Sequence, residues 1–526
     1  MNKDLNVELN EQFTKALDIM ENSNKSIFIT GKAGTGKSTL LEYFRQHTNK
    51  KIVVLAPTGV AALNVRGQTI HSFFGFKPDI TKDKVRKLRK SKRRIIEELE
   101  AVIIDEISMV RADLLDCIDI SLRLNRNKKD ESFGGMQMIF IGDLYQLPPV
   151  VTYKERNIFN KYYSGAYFFN ANVFRDIQIE FVELEKIYRQ KDERFIEILN
   201  AIRNNTLTDT HIEILNKCVG RALSGSRVPV ITLTTTNKKA EDINRRHLES
   251  LHSKIYTYPA CIEGEFDKRS YPAPEKLRLA VGAQVMLVNN DSSGRWVNGT
   301  LAKIVDIVSK DKDEDDFDRI MVKLANGRIK EVTPYTWEVF NFYYNEEEAR
   351  IETETVGTFT QYPLHLAWAV TIHKSQGKTF PKVIIDFSRG TFAPGQAYVA
   401  LSRCTSLEGI SLVKPFKKGY VFTDKEIVDF LTNYQYKLSE EEFALDEKMN
   451  FFTEAIEKQK DIEIVYLKPN GDKTRRIIRP CNLGEMVYKD RAFVGLKAYC
   501  RKRREERVFR IDRILEIKKP NYTSEV

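Results

Sequence analysis

Cysteine is scarce and scattered in this 526-residue chain: the six residues, at 117, 218, 261, 404, 481 and 500, form no C-x-x-C pair. Such spacing supports neither a disulfide framework nor a structural zinc site, and a reducing cytoplasm is the expected setting. Long apolar runs are missing too. No stretch approaches the ~18 residues needed to span a bilayer, so no membrane partner is expected. The opening MNKDLNVELNEQF lacks the basic-then-apolar pattern of a secretion signal. Histidine numbers only seven, and neither His71 nor His373 has a second ligand at i+3 or i+4, which argues against a structural metal site.

What is present is a basic excess, 84 Lys and Arg against 73 Asp and Glu, for a formal net charge of +11. Between Gly471 and Pro520 sixteen basic residues face seven acidic ones, which leaves about +2 for everything else. Within that segment AYCRKRREERVFRIDRI, residues 498–514, holds six Arg and one Lys. An excess so placed points to one polyanion-binding segment rather than to general stickiness. With 42% apolar and 30% charged residues, the chain reads as globular, and its length suggests roughly three or four domains.

The strongest local signal is SIFITGKAGTGKSTLLEYF. An apolar strand at 27–29 leads into Gly31, four residues, Gly36, Lys37 and Ser38, and a helix follows: the P-loop pattern in its required context. Gly31, Gly34, Thr35, Gly36, Lys37, Ser38 and Thr39 are the expected phosphate cradle. Lys37 would reach the β and γ phosphates, and Ser38 would ligate Mg²⁺. In LEAVIIDEISM the buried run 102–104 sets Asp105 and Glu106 at the carboxyl end of a parallel strand, where such sheets place ligands. Asp105 is the expected Mg²⁺ partner through water, and Glu106 the base for the attacking water. A third strand at 138–141 ends in GDLYQLPPV, where Gln146 is placed for the γ-phosphate or its water and Pro148 for contact with a bound strand.

A phosphate cradle alone fits kinases, GTPases and transporters as well as motors. VLAPTGVAALNVRGQTIHSFFGF (54–76), LEKIYRQKDERFIEILNAIR (184–203), VTIHKSQGKTF (370–380) and AYVALSRCTS (397–406), in this order with GDLYQLPP, resemble the motifs of superfamily 1B helicases. The match is best to the Pif-type (petite integration frequency) family, and covers residues 9 to about 420. The resemblance implies an α/β fold of two RecA-like P-loop lobes with parallel sheets, a small wedge insertion in the first and an SH3-like β-barrel insertion in the second. It implies ATP and Mg²⁺ as cofactors, and 5′-to-3′ translocation on single-stranded DNA with unwinding at single-strand/double-strand junctions. By the same resemblance Gln12 is the adenine contact, Gln376 and Gly377 face ATP, and Arg403 and Arg189 reach the γ-phosphate, where a planar guanidinium stabilises spreading charge. Thr58, His71, Ser72 and Phe73 in the first lobe, and His373 and Lys374 in the second, are the implied DNA contacts, the aromatic members by stacking. A DNA-stimulated ATPase that remodels protein–DNA complexes, or an RNA or hybrid helicase, stays open as an alternative.

Near the C-terminus, Ser439-x-x-Glu442 reads as a capping pattern. Leu445, Met449, Phe452 and Ile456 then share one helix face. Asn470-Gly471 is a hairpin signal. The arrangement Y…NG…R.I.P..L, a strand ending in AYC, and then FRIDRI as a further strand resembles a WYL domain, with Val494-Gly495-Leu496 in place of the naming tripeptide. That resemblance implies an SH3-like β module for nucleic-acid ligands, with Arg510 and Arg513 as leading contacts. The expected layout is a first lobe over 1–180 with its wedge near 60–80, a second lobe over 181–283 and 362–425, the barrel over 284–361, a helical connector over 426–456 and the WYL-like domain over 457–526. A monomer in solution is expected.

Overall fold

A computed structural model describes residues 9–518 except 78–79, 152–158, 224–228, 292, 310–316, 346–349, 443, 469–472 and 489–490. The chain divides into two units, one of residues 1–199 and 208–421 and the other of residues 200–207 and 422–526.

The first unit contains two parallel sheets. The larger has six strands in the order Gln68–Thr69, Ile52–Ala56, Ala101–Ile104, Gln137–Ile141, Ser26–Gly31, Ile179–Leu184, every pairing parallel. Its central strands read as unbroken apolar runs because both faces are covered: Ile27, Ile29, Ile103, Ile139 and Ile141 pack with Phe13, Leu40 and Phe44 of the flanking helices Glu11–Asn22 and Lys37–His47. The expected lobe boundary at 180 falls inside the edge strand Ile179–Leu184, so this lobe extends past it. The second parallel sheet has the order Ala369–Thr371, Ile231–Thr234, Val383–Asp386, Ile410–Leu412. These are two RecA-like lobes.

Between the strands of the second lobe lies an antiparallel five-stranded sheet, Ile329–Val332, Arg319–Leu324, Leu301–Val308, Gln284–Leu287, Leu364–Leu366, around Val285, Ala302, Ile304, Ile320 and Val322. Residues 335–345 and 350–361, expected in the barrel, do not join it. The strands Tyr335–Asn345 and Arg350–Gln361 form a long hairpin that pairs with Cys261–Gly264 over a separate core of Trp337 and Phe359.

The second unit carries two helices, Lys425–Glu442 and Leu445–Glu457, and a five-stranded antiparallel sheet ordered Glu505–Arg510, Arg491–Cys500, Lys473–Tyr488, Ile462–Leu467, Ile514–Lys518. Phe452, Ile464, Leu496, Ala498 and Phe509 form its core, with Met449 and Ile456 against them. Leu445, expected on that face, is exposed in the first turn. Ser439 does not cap a helix. It lies inside Lys425–Glu442, buried, where its hydroxyl donates to the Ile514 and Leu515 carbonyls (3.0 and 3.1 Å) and accepts from Lys448 Nζ (2.5 Å). The expected FRIDRI strand is also broken: a strand ends at Arg510, Ile511–Arg513 is a 3₁₀ turn, and Ile514–Lys518 crosses to the other edge of the sheet. The Asn470-Gly471 turn lies outside the described residues.

Candidate active site

The strand Ser26–Gly31 runs into a loop that ends at the helix Lys37–His47. Gly34 and Gly36 have φ of 85° and 91°, a left-handed backbone that side chains resist. A methyl on Gly34 would stand 2.5 Å from Arg189 Cβ, and one on Gly36 3.0 Å from Phe13. Lys37 Nζ donates to the carbonyls of Gly31 and Lys32 (2.6 and 3.1 Å). Thr35 is buried with its hydroxyl on the Lys32 carbonyl, while Ser38 and Thr39 are exposed in the first helical turn. Gln12 is half-buried, two positions after Asn10, the N-cap of Glu11–Asn22; Asn10 accepts from Phe13 N–H (2.9 Å) and donates to the Tyr188 hydroxyl (3.2 Å).

Asp105 and Glu106 follow the strand Ala101–Ile104. Burial raises the Asp105 carboxyl to about 6. Glu106 is pushed to about 7 by burial and then by Asp105, against the pull of Lys37 and Arg403. Glu106 also has φ 51° and ψ 42°, a strained conformation for a residue with a side chain and one that concentrates at functional sites. Gln146 is buried and donates to Asp143 Oδ2 (3.1 Å), whose Oδ1 accepts from Tyr145 N–H (3.1 Å). Pro148 is half-buried just beyond.

From the second lobe the buried helix Gln396–Ser402 ends at Arg403, which is 1% exposed. Its guanidinium donates to the Val399 and Lys378 carbonyls (3.0 and 3.4 Å) and to Ser402 Oγ (3.0 Å). Burial, then the neighbouring Arg189, lower it to about 9, with Glu106 and Asp143 opposing. Arg189 donates to the Ser402 carbonyl (3.3 Å), and Gln190 to those of Ser402 and Cys404 (3.1 and 3.0 Å). Gln376 carries a buried Nε2 with no hydrogen-bond partner among the described residues, next to Gly377 at φ 74°. An orphaned donor, two cations lowered by burial, a half-buried carboxyl pair and a glycine cradle are what a magnesium nucleotide would complete. Ser38 and Asp105 carry the hard oxygen atoms that such a cation would require.

Three members of this site escaped motif reading. The Tyr398 hydroxyl accepts from the phosphate-loop amide of Ala33 (2.9 Å) across 365 positions of sequence. Asp143 orients Gln146, and Gln190 ties the Arg189 segment to the second lobe. Tyr398 stands in AYVALSRC and Asp143 in GDLYQLPP, yet only the juxtaposition of the lobes reveals the Tyr398 contact.

Beside this cleft a cavity of about 880 Å³ is lined by Leu63 and Asn64 of the first lobe, by Asn244, Thr371 and Lys374 of the second, and by Trp337 of the hairpin. Thr58 is exposed as N-cap of the helix Gly59–Asn64, accepting from Ala61 N–H (3.3 Å), and is not itself among the cavity-lining residues. Lys374 is exposed, and His373 is half-buried and stacked on exposed Phe392 (6.0 Å, 14°). Asn298, also on the cavity wall and not anticipated, donates to Asn64 Oδ1 (3.0 Å) and accepts from Lys378 Nζ (2.5 Å). His71, Ser72 and Phe73 do not line the cavity. Phe73 is a core side chain, edge-on to Phe74 at 4.9 Å, because the helix Ile70–Phe74 turns its apolar residues inward; a stacking role for its ring is therefore corrected. Ser72 Oγ accepts from Gln68 (2.8 Å).

In the second unit Arg510 pairs with Asp512 (2.6 Å) and lies over the Phe493 ring. Arg513 Nε and Arg476 Nη1 are buried without hydrogen-bond partners among the described residues. Arg501 and Arg479 both grip Asp461 (2.9 and 2.8 Å).

Comparison with known proteins agrees with this layout. The model of the family "PIF1-like helicase" matches residues 4–213, and that of "WYL domain" matches residues 447–519. The ATP-dependent DNA helicase Pif1 of Bdellovibrio bacteriovorus is 32% identical over 441 residues, 82% of this chain and 93% of that protein. The structure of Bacteroides sp Pif1 in complex with ADP-AlF4 superposes with a TM-score of 0.74 at 39% identity, covering 82% of this chain and 98% of that one. Bacteroides Pif1 bound to ssDNA gives 0.61 at 39% identity, with the same coverage.

Proposed function

This chain belongs to the PIF1-like helicase family, and from that premise we propose that it is an ATP-dependent DNA helicase that moves 5′ to 3′ along single-stranded DNA and opens duplex at the junction. The observation that carries the reading is Arg403. A guanidinium 1% exposed, bonded only to two carbonyls and a hydroxyl among the described residues, is costly unless an anion completes its surroundings. The γ-phosphate of ATP is such an anion.

In these roles Lys37 and the loop amides hold the phosphates, Gln12 reads the adenine, and Gln376 with Gly377 meets the nucleotide from the second lobe. Magnesium, when bound at Ser38 and Asp105, neutralises phosphate charge. Glu106 takes the proton of the attacking water that Gln146 orients, and Arg189 and Arg403 stabilise the charge on the transferring group. Asp143 fixes Gln146, and Tyr398 ties the arginine-bearing helix to the phosphate loop, so that lobe closure and hydrolysis are coupled. Thr58 and Lys374 grip phosphates of the single strand in the groove between the lobes, with His373 and Pro148 flanking. The WYL-like module is an accessory nucleic-acid contact through Arg510 and Arg513, and the protein acts as a monomer in solution.

Strand displacement on duplexes bearing a 5′ or a 3′ single-stranded tail tests this. Separation of the 5′-tailed duplex alone, with hydrolysable ATP, is expected. DNA-stimulated hydrolysis without displacement on either would leave a remodelling ATPase, and displacement from the 3′ tail alone would reverse the polarity. Light scattering should give a mass near 61 kDa.

A further inference from the structure

The C-terminal segment is not the only concentration of charge. Residues 80–94, ITKDKVRKLRKSKRR, hold nine Lys or Arg against one Asp. They lie in the first lobe, between the helix Ile70–Phe74 and the buried strand Ala101–Ile104. With the C-terminal excess counted as well, the rest of the chain is net acidic.

The segment is anchored from below and exposed above. Val85, Ile95 and Ile96 are buried, while Lys84, Arg86, Lys87, Arg89 and Lys90 are exposed. Lys82 pairs with Asp116 (3.7 Å) and Arg93 with Glu97 (3.4 Å), on either side of that exposed row. Lys87 meets the neutral Asn127 side chain (3.4 Å). The helix Lys90–Glu98 starts with basic residues and has no side-chain cap at Arg89, an arrangement that works against the helix dipole and so is not explained by helix stability. Lys92 donates to the Ser72 carbonyl (3.4 Å), which joins the patch to the helix Ile70–Phe74.

We propose that residues 84–90 form a binding surface for the phosphate backbone of duplex DNA ahead of the junction, with Lys87, Arg89 and Lys90 at its centre. This rests on the helicase reading. The ligand class follows from what the patch lacks as much as from its charge. A single-strand grip combines cations with stacking rings, and residues 80–94 contain no aromatic side chain. Rows of cations without rings suit paired strands, whose bases are already stacked and whose phosphates remain outside.

The test compares wild type with the triple variant Lys87→Gln, Arg89→Gln, Lys90→Gln in binding to a 5′-tailed duplex and to the isolated single-stranded tail, over a range of salt. Tailed-duplex affinity is expected to fall about 10-fold or more at low salt, and its salt slope to drop by about 2 to 3, near 0.9 for each phosphate no longer neutralised. Affinity for the tail alone and single-strand-stimulated ATPase should stay within about 2-fold. The charge-preserving variant Lys87→Arg, Arg89→Lys, Lys90→Arg should bind the tailed duplex like wild type. Equal losses on both ligands, no loss on either, or a loss in the charge-preserving variant would overturn the duplex surface while leaving the helicase reading intact. Wild type without any DNA-stimulated ATPase would overturn both.

Discussion

Arginine is handled in opposite ways in the nucleotide cleft and in the C-terminal module. In the cleft, Arg403 and Arg189 sit beside one another, lowered by burial, and the hydrogen bonds described for Arg403 go to uncharged groups. In the module, where the sequence is far richer in arginine, Arg479 and Arg501 converge on Asp461, Arg507 meets Glu505, and Arg510 meets Asp512. Charge density along the sequence therefore says little about what a region binds until the ion pairs made on folding are known. A better guide is whether folding leaves a buried charge without an opposite partner.

The largest effect should come from removing such a charge. Arg403→Ala is expected to lower DNA-stimulated kcat by about 10³ or more, with nucleotide affinity changed only a few-fold in a fluorescent-nucleotide titration. A near-normal rate would erase the contrast between the two regions.

Next is the carboxyl that Arg403 faces. Glu106→Gln should cost about 10² to 10⁴ in hydrolysis while stabilising the ligand-free protein at alkaline pH. The sign follows from the raised value: the fold favours neutral Glu106, so its contribution is fully present below the ordinary value of 4.5, declines as pH rises to about 7, and is flat above. Thermal melting at pH 8 should favour the variant by roughly 3 kcal/mol at most, with the gap closing toward pH 4.5. Equal melting at both pH values would show that Glu106 is not held neutral.

In the module the same operation should act on stability and spare catalysis. Asp461→Ala leaves two guanidinium groups without their carboxylate and is expected to destabilise the C-terminal unit by about 1 to 3 kcal/mol, read by limited proteolysis, with ATPase unchanged. The smallest effect sharpens the contrast within the module itself. Arg513→Ala, which removes an Nε buried without a partner among the described residues, should weaken single-strand affinity by about 3-fold to 10-fold and lower the salt slope by about 0.7. Arg510→Ala, already paired with Asp512, should do less. The reverse order would make the pairing irrelevant to binding.

Much of this was legible in the sequence because phosphate chemistry constrains neighbours in the chain. Gly34, Gly36, Lys37 and Ser38 lie within one loop and its helix, and Asp105 with Glu106 ends one strand, so spacing alone locates them. Contacts between distant segments were not legible. Nothing near Tyr398 in sequence announces that its hydroxyl meets Ala33, and Phe73, expected as a stacking contact, is revealed as core only by the orientation of its helix. Ser439 shows the same limit: its S-x-x-E spacing fits a cap, yet the helix runs through it because burial against the Ile514 and Leu515 carbonyls offers its hydroxyl a better partner.

The sequence by itself determined the phosphate loop, the carboxylate pair and a β-rich C-terminal module, since each rests on local periodicity or on residues a few positions apart, while the two-lobe α/β plan came from an order of motifs that resembles a known family. Only the tertiary structure decided which charges are neutralised and which are kept, because burial and ion pairing depend on segments that meet in space. That is why six arginines in AYCRKRREERVFRIDRI proved less telling than one, Arg403, at the end of a buried helix.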